Sequence, residues 1–184
     1  MATLLKGRPR QRSDLQWQQR TRAPRQLWLV IVDASASTQR HQALSLAKGL
    51  LSELFDQAYR SRARLALLTA SGSEPQWQRH GLKASRALQP WLDTLGAGGG
   101  TPLLQALNQA TQWLQQRQKR YAAEQQRCLI ITDGRIKQGA QLLPLGCPSV
   151  LVDIERGPVR LGRAQLLARA LKAHYQHIDS LAQV

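Results

Sequence analysis

Acidic side chains are scarce in this chain of 184 residues: 11 Asp and Glu stand against 26 Lys and Arg, a formal net charge of +15. That imbalance predicts attraction to something acidic and makes the position of each carboxylate informative. Cysteine is nearly absent. Cys128 sits inside an apolar run and Cys147 precedes Pro148, which excludes both a disulfide framework and a zinc-ligand spacing. No apolar run approaches the ~20 residues that a membrane-spanning helix needs. Met1 to Leu5 leads straight into Lys6-Gly7-Arg8-Pro9-Arg10, without the apolar segment of a secretory signal. The expected location is the cytoplasm. The phosphate-loop pattern G-x-x-x-x-G-K-[ST] and the nucleophile elbow G-x-S-x-G are both missing, so neither a nucleotide site nor hydrolase chemistry of its own is expected.

What is there fits one domain. The apolar fraction of 42% and the charged fraction of 20% are ordinary for a globular protein, and a chain of this size can bury a substantial core. Residues 1–25 read as a basic N-terminal arm: Lys6, Arg8, Arg10, Arg12, Arg20, Arg22 and Arg25 are opposed only by Asp14. The folded domain is expected over residues 26–184.

Leu27-Trp28-Leu29-Val30-Ile31-Val32, Cys128-Leu129-Ile130-Ile131-Thr132 and Ser149-Val150-Leu151-Val152 are short apolar runs rich in β-branched residues. Such runs suit strands buried on both faces of a parallel sheet. Each terminates in an aspartate: Asp33, Asp133 and Asp153. Arg64 to Thr69 reads as a further strand, and a short polar strand around Trp77 is expected to pair antiparallel at an edge. Three- and four-residue apolar spacing predicts helices over Gln42–Arg60, Lys83–Leu95, Pro102–Gln118 and Arg163–Ala173, with a short strand near Tyr175. Strands alternating with helices imply an α/β fold, a mostly parallel sheet with helices on both faces, in which ligands bind beyond the carboxyl ends of the strands.

At that rim, Asp33-Ala34-Ser35-Ala36-Ser37 places oxygen-bearing side chains at alternate positions directly after a strand. A carboxylate with two hydroxyls is a set of hard donors suited to Mg²⁺, Mn²⁺ or Ca²⁺ rather than zinc or copper. Gly98-Gly99-Gly100 allows a close backbone approach, so Thr101 can add a hydroxyl from a second loop. Asp133, followed by Gly134, offers a second carboxylate from a third. The candidate metal ligands are therefore Asp33, Ser35, Ser37, Thr101 and Asp133. Two carboxylates neutralise a divalent cation without filling six coordination positions, so an acidic residue from a partner could complete the shell. Asp153 is assigned a structural role, and His174 and His177, lacking a third soft ligand, are read as surface or packing residues.

Asp-x-Ser-x-Ser at 33–37, Gly-Gly-Gly-Thr-Pro at 98–102 and Thr-Asp-Gly at 132–134 resemble the metal-ion-dependent adhesion site (MIDAS) of von Willebrand factor A (VWA) domains. Val-Asp-Ile-Glu-Arg-Gly at 152–157, Leu161-Gly162 and the closing Ala-Leu-Lys-Ala-His-Tyr extend the likeness to the C-terminal VWA domain found in the D-type subunits of magnesium chelatase and in cobaltochelatase-type proteins. The resemblance implies a Rossmann-like domain that holds Mg²⁺ through the five named residues and is not itself an enzyme. It further implies an AAA+ ATPase partner, and with it a large catalytic chelatase chain that inserts cobalt or magnesium into a tetrapyrrole. A MoxR-type AAA+ partner that matures another metalloenzyme is the alternative. An arginine-rich arm with Trp17 is also compatible with nucleic acid, but the aromatics are few and form no reader motif, so an acidic protein partner is preferred.

Overall fold

The computed structural model describes residues 25–34, 43–83, 91, 95, 102–135, 142–156 and 161–181. The basic arm, apart from Arg25, lies outside them. Six strands and four helices are assigned among the described residues: β1 (Gln26–Asp33), α1 (Ala43–Arg60), β2 (Arg64–Ser71), β3 (Glu74–Lys83), α2 (Leu103–Arg120), β4 (Gln125–Thr132), β5 (Ser149–Asp153), α3 (Arg163–Leu171), β6 (His174–His177) and the single turn α4 (Ile178–Leu181).

The strands form one sheet in the order β3-β2-β1-β4-β5-β6. All neighbours are parallel except β2 and β3. Alternation along β1 explains the layers. Leu27, Leu29 and Ile31 pack with Leu103, Leu107 and Leu114 of α2 and Leu167 and Leu171 of α3 on one face. Val30 and Val32 point the other way, into Ala47, Leu51, Phe55 and Ala58 of α1. Burying each such Leu or Phe stabilises the fold by about 1.5–3 kcal/mol, which is why the continuous apolar strands are read as central.

Two expectations are corrected. The antiparallel edge strand is not short: β3 runs for 10 residues. Pro75, which cannot donate to a ladder, is tolerated because β3 is an edge strand, and the Gly72-Ser73 connection, with Gly72 at φ +72°, suits a tight hairpin. The helix expected from Lys83 does not begin there, since Lys83 is the last residue of β3. Of the remainder of that segment only Trp91, which is helical, and the buried Leu95 are described.

Helix α2 is fastened to β3 and β4 at its C-terminal end by Arg117. Its guanidinium stacks on Trp113 at 5.2 Å and on Tyr121 at 4.9 Å, and Nη2 donates to Oε1 of the buried Glu124 at 2.9 Å. Gly81 leaves the room, since a Cβ there would lie 2.6 Å from Arg117 Nη1. Removing one partner of a buried ion pair strands the other charge. Arg117→Met is therefore expected to lose about 3 kcal/mol in urea unfolding, and Arg117→Met with Glu124→Gln to recover part of it. A loss under about 0.5 kcal/mol would mean the pair does no more than a surface contact.

Candidate metal centre

The order of the strands creates the site. After β1 the chain moves outward to β2 and β3, then crosses back to lay β4 on the other side of β1. The crevice between the carboxyl ends of β1 and β4 is thus the switch point at which open α/β sheets bind ligands. Asp33 ends β1, and Asp133 directly follows β4.

Asp33 is fully buried, and its Oδ2 accepts a hydrogen bond from Thr132 Oγ1 at 2.7 Å. Thr132 Oγ1 in turn accepts from Gly134 N at 2.9 Å. One hydroxyl therefore joins the two carboxylate loops, a function of Thr132 that its place in a strand does not reveal. Asp133 is 4% exposed, and its Oδ1 accepts from Arg135 N at 3.1 Å, which holds the side chain against its own turn. Gly134 adopts φ +72°, and a Cβ there would lie 2.3 Å from Ala164 N. Only glycine permits both that backbone conformation and the approach of α3.

Of the five residues expected to bind metal, Asp33 and Asp133 are thus brought to one crevice. Ser35, Ser37 and Thr101 lie outside the described residues. Among the described residues no group of three His, Cys, Asp or Glu side chains could hold an ion by itself. The two carboxylates present fit a hard divalent cation in charge and chemistry, with the remaining positions left to hydroxyls and water.

Two more carboxylates share the rim. Asp153 is 2% exposed; its Oδ1 accepts from Glu155 N at 2.8 Å and its Oδ2 from Tyr175 Oη at 2.7 Å. It ties β5 to β6. Glu155, which sequence reasoning misses, is 3% exposed, and its Oε2 accepts from Leu161 N at 2.9 Å and Gly162 N at 3.4 Å. It supplies a carboxylate to the start of α3, whose N-cap residue, Gly162, has no side-chain cap of its own. The Asp-x-Glu spacing at the end of β5 is its one sequence signal. Arg135 reaches both loops, with Nε 3.4 Å from Asp133 Oδ2 and Nη2 4.0 Å from Glu155 Oε1. His177 contacts the Glu155 carbonyl through Nε2 at 3.0 Å and accepts from Asp179 N through Nδ1 at 3.2 Å, a packing arrangement. Burial raises the thiol pKa of Cys128 well above its usual value, with Cys147 adding to the rise, and burial raises that of Cys147 as well. Burial thus favours the protonated thiol at both positions.

The von Willebrand factor type A family model matches residues 28–135, more than half of the chain, and the protein belongs to that family. It is 28% identical over 166 residues to an uncharacterized protein of Mycobacterium tuberculosis, covering 84% of this chain and 26% of that one. It is also 28% identical over 180 residues to the magnesium-chelatase 67 kDa subunit of Chlorobaculum parvum, covering 84% of this chain and 29% of that one. The chain thus spans between a quarter and a third of the length of these relatives. Among solved structures, a von Willebrand factor type A protein from Catenulispora acidiphila superimposes with a TM-score of 0.63 at 16% identity, covering 86% of this chain and 40% of that one. That likeness concerns the fold alone. No helix among the described residues is long and apolar enough to cross a membrane.

Proposed function

We propose that this VWA domain is a non-catalytic, metal-dependent docking module that works with an AAA+ ATPase in inserting cobalt or magnesium into a tetrapyrrole. The observation that carries the reading is electrostatic. A chain with a net charge of +15 and only 11 acidic residues keeps Asp33, Asp133, Asp153 and Glu155 buried together on one rim. Asp153 and Glu155 are engaged in contacts that hold β6 and the start of α3, whereas Asp33 and Asp133 flank the switch point of the sheet, where one cation would offset both charges. Asp33 and Asp133 would hold Mg²⁺, with Ser35, Ser37 and Thr101 supplying hydroxyl ligands from adjacent loops. Bound there, the ion supplies a Lewis-acidic position open to a carboxylate of the partner. The likeness to magnesium-chelatase subunits supports the choice of partner.

Calorimetric titration with MgCl₂ and a pull-down from a lysate of the source organism, with Mg²⁺ or with EDTA, test the two halves of the proposal. Mg²⁺ at about a hundred times its Kd is expected to stabilise the fold by about 2.7 kcal/mol, and an AAA+ ATPase is expected to be retained with Mg²⁺ and released by EDTA. No heat and no thermal shift would overturn the metal reading. Absence of any ATPase from the Mg²⁺ sample would overturn the partner.

A further inference from the structure

Arg135 stands between two buried carboxylates and completes a side-chain hydrogen bond with neither. Its Nε is buried without a hydrogen-bond partner, 3.4 Å from Asp133 Oδ2, and Glu155 Oε1 is likewise buried and without a hydrogen-bond partner, 4.0 Å from Arg135 Nη2. Orphaned buried polar atoms are rare and costly, and here a donor of the guanidinium and an acceptor 4.0 Å from its Nη2 are both left over. The arrangement is not a poor ion pair of a surface kind, because the side chains of Asp133 and Glu155 are only 5% and 2% exposed while that of Arg135 is 37% exposed. The carboxylates are fixed: Asp133 Oδ1 by its own turn and Glu155 Oε2 by two backbone N–H groups leading into α3. The guanidinium lies between them, 3.4 Å from one and 4.0 Å from the other.

We infer that Arg135 is the resident counter-charge of Asp133, that a divalent cation must displace it, and that Glu155 Oε1 receives it when it moves. This rests on the metal reading of the rim. A cation beside Asp133 repels the guanidinium, and Glu155 Oε1, 4.0 Å from Nη2, is a buried acceptor left without a hydrogen bond. Arg135 is then a positioning residue that lowers cation affinity by competition, and Glu155 restores part of that affinity by giving the displaced charge a partner. Because the other oxygen of Glu155 holds the start of α3, occupancy of the metal site becomes linked to the contacts of that helix.

The test is MgCl₂ calorimetry at constant ionic strength on the unmodified chain and on variants each checked for native circular dichroism. Arg135→Gln is expected to tighten Mg²⁺ binding about tenfold and Glu155→Gln, which keeps an oxygen for Leu161 N, to weaken it by a similar factor. General electrostatics would give the same signs, so the deciding measurement is coupling. In the Arg135→Gln background, Glu155→Gln should change the affinity by less than about twofold. Arg156→Gln, which removes a nearby arginine paired with Asp179, should leave it unchanged. Full additivity of the two substitutions, or an affinity in natively folded Arg135→Gln that is unchanged or weaker, would overturn the inference. Failure of the unmodified chain to bind Mg²⁺ would overturn it together with the metal reading, so the two failures are told apart.

Discussion

Substituting Gly134 by alanine is expected to cost on the order of 4 kcal/mol, the range reserved for single changes that break a close contact. The new Cβ would lie 2.3 Å from Ala164 N and 2.6 Å from Ala164 Cα, both backbone atoms at the start of α3, and the residue would have to hold φ +72°. A left-handed conformation alone costs an alanine about 1–2 kcal/mol. The rest follows from the backbone overlap, because close-packed interiors transmit such a displacement rather than absorb it. For a domain of this size the melting temperature should fall by roughly 8–16 °C. Thermal unfolding followed by circular dichroism measures it, and a fall of under about 2 °C would show that α3 can retreat at little expense.

Asp33→Asn separates binding from folding. Asparagine keeps the oxygen that accepts from Thr132 Oγ1 and is nearly the same size, but it removes one of the two negative charges offered to a cation. Mg²⁺ affinity is expected to fall about a hundredfold or more, at the upper end of or beyond what changes around a metal's ligands produce. Circular dichroism without Mg²⁺ checks that the variant keeps the native fold, so that a change in affinity is read on folded protein. Unchanged affinity in calorimetry would remove Asp33 from the site, and the metal reading with it.

The strands β1, β4 and β5 are legible in the sequence because their apolar runs are short, rich in β-branched residues and unbroken, as burial on both faces requires, and because each leads to an aspartate. The helices α1, α2 and α3 are legible from three- and four-residue spacing; Ala47, Leu51, Phe55 and Ala58 are the buried positions of the first. The length of β3 is not. An edge strand with one protected face carries Gln76, Gln78 and His80 among its residues, and such a pattern resembles a loop as much as a strand. The position of Asp33 and Asp133 at one crevice follows from the crossover between β3 and β4, which periodicity does not encode. Glu155 escapes notice because it satisfies N–H groups six and seven residues further along, a closure that depends on how α3 returns to the sheet. Thr132 reads as the end of a strand, and its hydroxyl acquires meaning only when β1 lies beside β4.

The outer margin of the sheet bears on how the molecule meets others. A ten-residue edge strand is an invitation to uncontrolled pairing with another chain. β3 meets that hazard with Glu74, Arg79 and His80, with Pro75, and with two register irregularities against β2, between Leu65 and Ala66 and between Leu67 and Leu68. These features discourage stacking of copies through that side. Association is thereby steered toward surfaces made of side chains and away from bare backbone, so a chemically selective encounter can be made without competition from indiscriminate strand addition.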